Sequence, residues 1–256
     1  MAGAAPGEVW VVDLDGVVWL ADQPIEGAAH AVERLRASGA RVLFATNNAS
    51  PTVEQFIDRL AKAAIEVQSD DLVTSALAAA SMLDPGSTAV ICADAGVSEA
   101  LMHRGVQVVA EGPADSVVVG WTRFDFDRVA TAAAAVRAGA RLIGTNEDAT
   151  YPTPQGLLPG AGAVLAAVAT ASQTTPEVAG KPHAPLASLI HQRVGKVSFV
   201  VGDRPSTDGA LANRLQAKFA LVRSGVTKSG KEPMTVHPDI DAPDFATLVD
   251  RVLGLP

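Results

Sequence analysis

Short apolar runs alternate along this chain with longer segments whose apolar residues recur at helical spacing. Val9-Trp10-Val11-Val12 is β-branched and aromatic without a polar break, the pattern of a strand buried on both faces. Gly27 to Ser38 reads as a helix with Val32 and Leu35 on its apolar face and Gly39 at its end. Arg41 to Ala45 is the next strand. Ser50-Pro51 then predicts a helix start, Ser as N-cap and Pro in the first helical position, with the helix running to about Ala64. Strand, helix, strand, helix predicts a parallel sheet.

The middle, from about Thr74 to Glu177, changes texture. Alanine-rich helices (Ser75 to Leu83, Val97 to His103, Phe126 to Ala138, Ala163 to Ala171) alternate with strands (Ala89 to Cys92, Gln107 to Val109, Ser116 to Val119, Arg141 to Ile143). This predicts a second α/β unit. After a polar connector the first pattern returns: helix Ala184 to Arg193, strand Val197 to Val201, helix Asp208 to Leu215 and strand Phe219 to Val222. A loop rich in Gly, Ser and Lys and a last helix, Phe245 to Leu253, complete the chain.

Composition narrows the partners. Apolar residues make up 48% and charged residues 19% of 256 positions, which describes a globular chain with ample core. A net charge of -8 argues against nucleic acid or an anionic membrane as the main partner. Cys92 is the only cysteine, so no intrachain disulfide or Cys-x-x-Cys metal site exists. The N-terminus lacks the basic start and apolar stretch of a signal peptide, and no apolar run approaches the roughly 20 residues of a membrane span. A cytoplasmic setting is expected.

Candidate chemistry gathers where the strands end. Asp13 and Asp15 follow the first strand at i and i+2, so an extended chain points both to one side. Two like charges held close need a cation, a proton or a basic group. Thr46-Asn47 ends the second strand just before a helix, a chemically sensible anion cradle. A third strand delivers Asp203 and Asp208. In parallel sheets the site lies outside the carboxyl ends of the strands. An oxygen-only donor set of this kind suits Mg²⁺, and a lysine such as Lys181 offsets charge and holds a phosphate oxygen. There is no nucleotide-binding Gly-x-x-x-x-Gly-Lys-Ser/Thr loop and no Gly-x-Gly-x-x-Gly. One internal echo gives a rival loop. Arg36 to Arg41 leading to Thr46-Asn47 resembles Arg137 to Arg141 leading to Thr145-Asn146. Thr46 is preferred because only one helix separates it from Asp13, so their strands are expected to be neighbours.

The ordered set resembles the haloacid dehalogenase superfamily of phosphohydrolases. Asp13-Leu14-Asp15-Gly16-Val17 matches its first motif, Thr46 its second, Lys181 its third, and Gly202 to Asp208 its fourth. Thr46-Asn47-Asn48, Gly144-Thr145-Asn146-x-Asp148, Pro159-Gly160-Ala161-Gly162, Gly180-Lys181-Pro182 and Gly202-Asp203-Arg204 look like its NagD/p-nitrophenyl phosphatase branch. Pro205-Ser206 departs from the Leu-Asp common between the fourth-motif acids, and Ala63-Ala64 from a usual Leu-Gly.

The resemblance implies a Rossmann-like α/β core with a parallel sheet, residues 1–74 and 178–256, and an inserted α/β cap of the C2 type, 75–177. It implies Asp13 as nucleophile and Asp15 as general acid and base. Mg²⁺ falls to Asp13, the Asp15 carbonyl and Asp203, with Asp208 in support. Thr46, Asn47 and Lys181 hold phosphoryl oxygens, and Asn48 braces their loop. Thr145, Asn146, Asp148 and Tyr151 are the cap residues expected to meet substrate. A small phosphorylated metabolite is expected, with no nucleic acid or membrane partner and a homodimer left open. The Ala- and Val-rich texture looks most like the members acting on glycerol 3-phosphate. 2-Phosphoglycolate, pyridoxal phosphate and nucleoside monophosphates come behind it. A catalytically silent binding protein on the same scaffold is the alternative of another class. His103, His183 and His191 read as surface or helix-cap residues, Cys92 as a small core hydrophobe, and Trp10 and Trp19 as packing around the first strand. Trp121 and Tyr151 are read at strand ends of the cap, facing either way.

Overall fold

The computed structural model describes residues 7–21, 23–153, 156–227 and 236–255. The first residues of the N-terminal stretch and residues 228–235 of the Gly-, Ser- and Lys-rich loop lie outside them. In chain order the elements begin with β1 (Val9–Val12), the short strands β2 (Trp19–Leu20) and β3 (Gln23–Pro24), α1 (Ala28–Ala37), β4 (Arg41–Thr46), α2 (Val53–Lys62) and β5 (Leu72–Thr74). Next come α3 (Ser75–Ser81), β6 (Thr88–Cys92), α4 (Ala95–Arg104), β7 (Gln107–Val109), β8 (Ser116–Val119), α5 (Phe126–Arg137) and β9 (Arg141–Gly144). The hairpin β10 (Thr150–Thr153) and β11 (Gly156–Pro159) precedes α6 (Ala161–Ser172), β12 (Glu177–Val178) and α7 (Ala184–Val194). The chain closes with β13 (Phe199–Gly202), α8 (Ala210–Leu215), β14 (Lys218–Val222), β15 (Ile240–Ala242) and α9 (Phe245–Leu253). The expected α/β class with parallel sheets holds.

Two compact units divide these elements. The first takes residues up to Thr46, Ile57–Val73 and the chain from Ile190 onward; the second takes Asn47–Phe56 and Thr74–Leu189. The main sheet runs β15-β14-β13-β1-β4-β5, with the pairs flanking β1 and β13 parallel. β1 and β13 are buried along their whole length, which is why their sequences carry no alternation. Trp10 stacks on Phe199, its register partner, with ring centroids 4.2 Å apart.

In the second unit a parallel sheet runs β12-β9-β8-β6-β7. The alanines of α5 and α6 have a structural use here. Ala132, Ala133 and Ala135 form one buried cluster with Val164, Leu165 and Val168 of α6 and Val90, Val117 and Leu142 of the sheet. Small side chains let the helices lie close to each other and to the sheet. Cys92 is part of this cluster, and burial pushes its thiol above the ordinary value, as suits an inert core residue.

One local expectation is corrected. α2 starts at Val53, and its cap is Thr52 rather than Ser50. Thr52 Oγ1 accepts from the Gln55 N–H at 3.2 Å and Gln55 Oε1 accepts from the Thr52 N–H at 2.9 Å, a reciprocal capping box. The Ser50 hydroxyl reaches the Trp121 carbonyl at 3.5 Å instead. The polar connector before Gly180 also contains β12, too short to show a period of its own. Among the described residues no helix is long and apolar enough to cross a membrane.

Candidate functional site

In the first unit Val12 of β1 lies opposite both Phe44 of β4 and Val201 of β13. Parallel strands in this register release Asp13, Thr46 and Asp203 at the same carboxyl edge. From β1 the chain winds outward through β4 and β5, then returns to β13 on the other side. Asp13 and Asp203 therefore stand at the switch point, where open α/β sheets bind ligands.

One carboxylate oxygen from each of Asp13, Asp203 and Asp208 lies within 4.8 Å of the others, and all three residues are buried. Main-chain donors fix them. Asp13 Oδ1 accepts from the Leu14 N–H at 2.8 Å, Asp203 Oδ2 from the Val226 N–H at 2.5 Å, and Asp208 Oδ2 from the Arg204 N–H at 3.1 Å. Asp208 thus turns back to its own loop and does not cap the helix that follows. Room for the acids is made by glycine. A Cβ on Gly202 would stand 2.1 Å from Asp208 Cγ, and one on Gly225 1.9 Å from Asp203 Oδ2. Gly16 also needs its positive φ of 86° to turn the chain past the cluster. Three buried carboxylates repel one another and lose hydration, and such groups are stable only when paired or metal-bound. The donor set is all oxygen, which fits Mg²⁺.

Asp15 is held apart from this triad. Its Oδ1 accepts from Trp19 Nε1 at 3.0 Å, and the Arg59 guanidinium lies 4.1 Å from the centre of the Trp19 ring. Arg59 also donates to the Ala21 carbonyl. Trp19 is buried as expected, but it does more than pack around the strand. Sequence reasoning missed this partner, and it missed Arg59, Gly225 and Val226. Trp19 sits four residues from Asp15, a spacing that signals nothing once the helix is absent.

The second unit holds a polar node built from the four other motifs. Asn47 Oδ1 accepts from the Lys181 N–H at 2.7 Å, while Asn47 Nδ2 donates to Asp148 Oδ2 at 3.1 Å and to the Lys181 carbonyl at 3.2 Å. The Asn47 carbonyl accepts from Asn146 Nδ2 and from the Ser75 hydroxyl, each at 2.7 Å. Asn48 Oδ1 accepts from the Ser50 N–H at 3.1 Å and so braces the loop. Glycines again mark crowded places. A Cβ on Gly160 would lie 2.1 Å from the Asp148 carbonyl oxygen, and one on Gly180 2.5 Å from Asn47 Oδ1. His183 lies at the surface, where its Nε2 meets Glu147 Oε1 at 2.9 Å.

The rival loop resolves into a support. Asn146 serves the main chain of Asn47, and Thr145 is fully buried with no partner for its hydroxyl among the described residues. Tyr151 lies beside Trp121, ring centroids 6.4 Å apart, and Trp121 Nε1 donates to the Pro159 carbonyl at 3.0 Å.

Comparison with known proteins agrees with this geometry. A doubly wound sheet that buries an acid triad at its switch point has the architecture of a metal-binding site of an α/β fold. A family model described as haloacid dehalogenase-like hydrolase matches residues 10–107, and a second, HAD-hydrolase-like, matches 178–248. The D-glycerol 3-phosphate phosphatase of Mycobacterium tuberculosis is 36% identical over 86% of this chain and 64% of its own length. An acid sugar phosphatase of Staphylococcus aureus is 32% identical over 68% of this chain and 69% of its own. Among solved structures, glycerol phosphate phosphatase from Mycobacterium tuberculosis in complex with magnesium superposes with a TM-score of 0.86 at 33% identity, covering 94% of this chain and 76% of that one. The chain belongs to the haloacid dehalogenase-like hydrolase family. Both the expected phosphatase class and the expected Mg²⁺ agree with what these relatives are named for or solved with. The chain spans less than two thirds of the first relative's length.

Proposed function

We propose that this chain is a Mg²⁺-dependent phosphatase of small phosphate monoesters, with glycerol 3-phosphate as the leading substrate. The buried Asp13, Asp203 and Asp208 cluster carries the reading. The family resemblance supplies the roles. An oxygen of Asp13 attacks phosphorus, the P–O ester bond breaks, and Asp15 gives its proton to the leaving alkoxide. Water then attacks the aspartyl-phosphate. Asp15, now a carboxylate, takes the proton, and Asp13 and inorganic phosphate are released. Asp13, the Asp15 carbonyl and Asp203, with Asp208 behind them, would hold Mg²⁺. The ion, when bound, supplies charge that lets a carboxylate approach an anionic ester. Thr46, Lys181 and the loop of Asn47 and Asn48 take the phosphoryl oxygens.

The proposal keeps residues 75–177 as a cap, with the leaving group read from the 145–151 segment by residues other than Asp148. A small phosphorylated metabolite suits such a cap, and the lone Cys92 suits a reducing, cytoplasmic setting. The preference for glycerol 3-phosphate rests on likeness to one named relative, and 2-phosphoglycolate, pyridoxal phosphate and nucleoside monophosphates stand behind it. The test is hydrolysis of p-nitrophenyl phosphate and a panel of phosphorylated metabolites, with and without Mg²⁺, ranked by kcat/KM. Glycerol 3-phosphate is expected first. No turnover of any ester in the panel would leave a silent binding protein as the better reading.

A further inference from the structure

We propose that Asp148 is a positioning residue for Lys181, acting through the Asn47 amide, and does not read the leaving group. The role of Lys181 rests on the phosphatase reading above. How it is held rests on the node itself. The main-chain N–H of Lys181 is a donor, so the Asn47 atom 2.7 Å from it must be the amide oxygen. A planar amide then presents its NH₂ elsewhere, and here it meets Asp148 Oδ2 and the Lys181 carbonyl. The flipped amide would set NH₂ against an N–H and C=O against a carboxylate. Asp148 therefore selects the one orientation that grips Lys181 at both its N–H and its carbonyl.

Two further observations separate a fixed bracket from a substrate reader. Both amide hydrogens of Asn47 are committed, so its side chain has no donor left for a phosphoryl oxygen. Asp148 itself is clamped. Its N–H donates to Asn146 Oδ1 at 3.0 Å and its carbonyl accepts from the Gly162 N–H at 3.0 Å, under glycines that leave no space for a Cβ. Beside it, Glu147 clasps His183, two residues beyond Lys181. Loosening Lys181 penalises the phosphoryl group common to every ester, whereas losing a reader penalises one leaving group.

The experiment measures kcat/KM for wild type, Asp148→Ala and Asp148→Asn on p-nitrophenyl phosphate and glycerol 3-phosphate, with inorganic phosphate as inhibitor. Asp148→Ala is expected to lose about 10- to 100-fold, the scale of a small misplacement in a site. The factor should be equal within about twofold on both esters, with phosphate inhibition weakened alongside. Asp148→Asn keeps an acceptor for Asn47 and should recover most of the loss. Losses that differ more than about fivefold between esters, or wild-type kinetics in Asp148→Ala, overturn the proposal. If Asp148→Ala does not fold, Asp148→Ser, which also lacks the carboxylate, carries the same comparison. A second readout needs no activity: hydrogen exchange at the Asn47 side-chain amide should speed up at least about tenfold in Asp148→Ala. Unchanged exchange overturns the positioning claim even in a protein that hydrolyses nothing, and wild-type inactivity overturns only the phosphatase reading.

Discussion

The acid cluster of the first unit and the polar node of the second are both buried and both assembled from distant segments, yet they are finished to different degrees. In the node, Asn47 meets Lys181, Asp148, Asn146 and Ser75, each donor facing an acceptor. In the cluster, Asp13, Asp203 and Asp208 also receive main-chain donors, but one oxygen of each of these acids lies within 4.8 Å of the others. The node is complete as folded. The cluster gathers three acids in the pattern of a cation site. A buried array whose polar groups face one another stabilises the fold, while one that gathers acids is suited to bind a cation.

Changes to the cluster should cost activity and spare the fold. Asp13→Asn is expected to lower kcat by at least about 10⁴-fold, the scale seen when a covalent catalytic group is removed. Its melting temperature in EDTA should hold or rise, because one of three repelling charges is gone. Turnover at the wild-type rate would break the covalent reading. EDTA should likewise abolish activity and Mg²⁺ restore it, while Ca²⁺, with its looser coordination, should compete without supporting turnover. Mg²⁺ at 100 times its Kd should add about 2.7 kcal/mol of stability, read from urea unfolding, and Asp203→Asn should shrink that gain. Equal gains in both proteins would remove Asp203 from the cation.

Changes to the node should cost the fold as well as the positioning of Lys181, and spare the cation. Asn47→Ala leaves the Lys181 N–H and the Asp148 carboxylate without their partner. A loss of about 2 to 4 kcal/mol in urea is expected, with the Mg²⁺-dependent gain intact. Loss of the Mg²⁺ gain in that variant would mean that the two regions are not separable. Gly160→Ala drives a Cβ toward the Asp148 carbonyl and should cost about 1 to 3 kcal/mol by overpacking.

The smallest effect belongs to the exposed pair Arg141 and Glu177, whose two hydrogen bonds of 3.0 Å hold the Glu177 carboxyl below its ordinary value. A depressed acid stabilises above its unfolded pKa and loses that contribution as pH falls through the folded one. Glu177→Gln should therefore melt below wild type by no more than about 1 kcal/mol at neutral pH. The two curves should converge in acid or high salt, and a gap that widens in acid would reverse the sign.

Much of this was legible in the sequence because it is local. The uninterrupted, β-branched apolar run Val9 to Val12 reads as a strand buried on both faces, and the acids at its end are visible beside it. The internal echo shows the limit of such reading. Thr46-Asn47 and Thr145-Asn146 follow the same helix, glycine and strand, yet Asn47 grips the Lys181 main chain while Asn146 supports Asn47. The helix start was misplaced by two residues for a related reason. Ser50-Pro51 and Thr52 with Gln55 are both sound caps in sequence, and the fold uses the second while the Ser50 hydroxyl turns toward the Trp121 carbonyl. Trp19, Arg59 and Val226 were missed altogether, since no periodicity marks a residue whose importance lies in which carboxylate it faces.

By itself, the sequence determined the alternation of strands and helices, the placing of acids at strand ends and the order of the motifs. Those depend on the side-chain period and on the turn chemistry of neighbouring residues. Only the tertiary structure decided which polar groups are spent on one another. That is a matter of partners more than 100 positions apart, as Asn47 is from Asp148 and Lys181, and burial leaves each with a choice of few atoms.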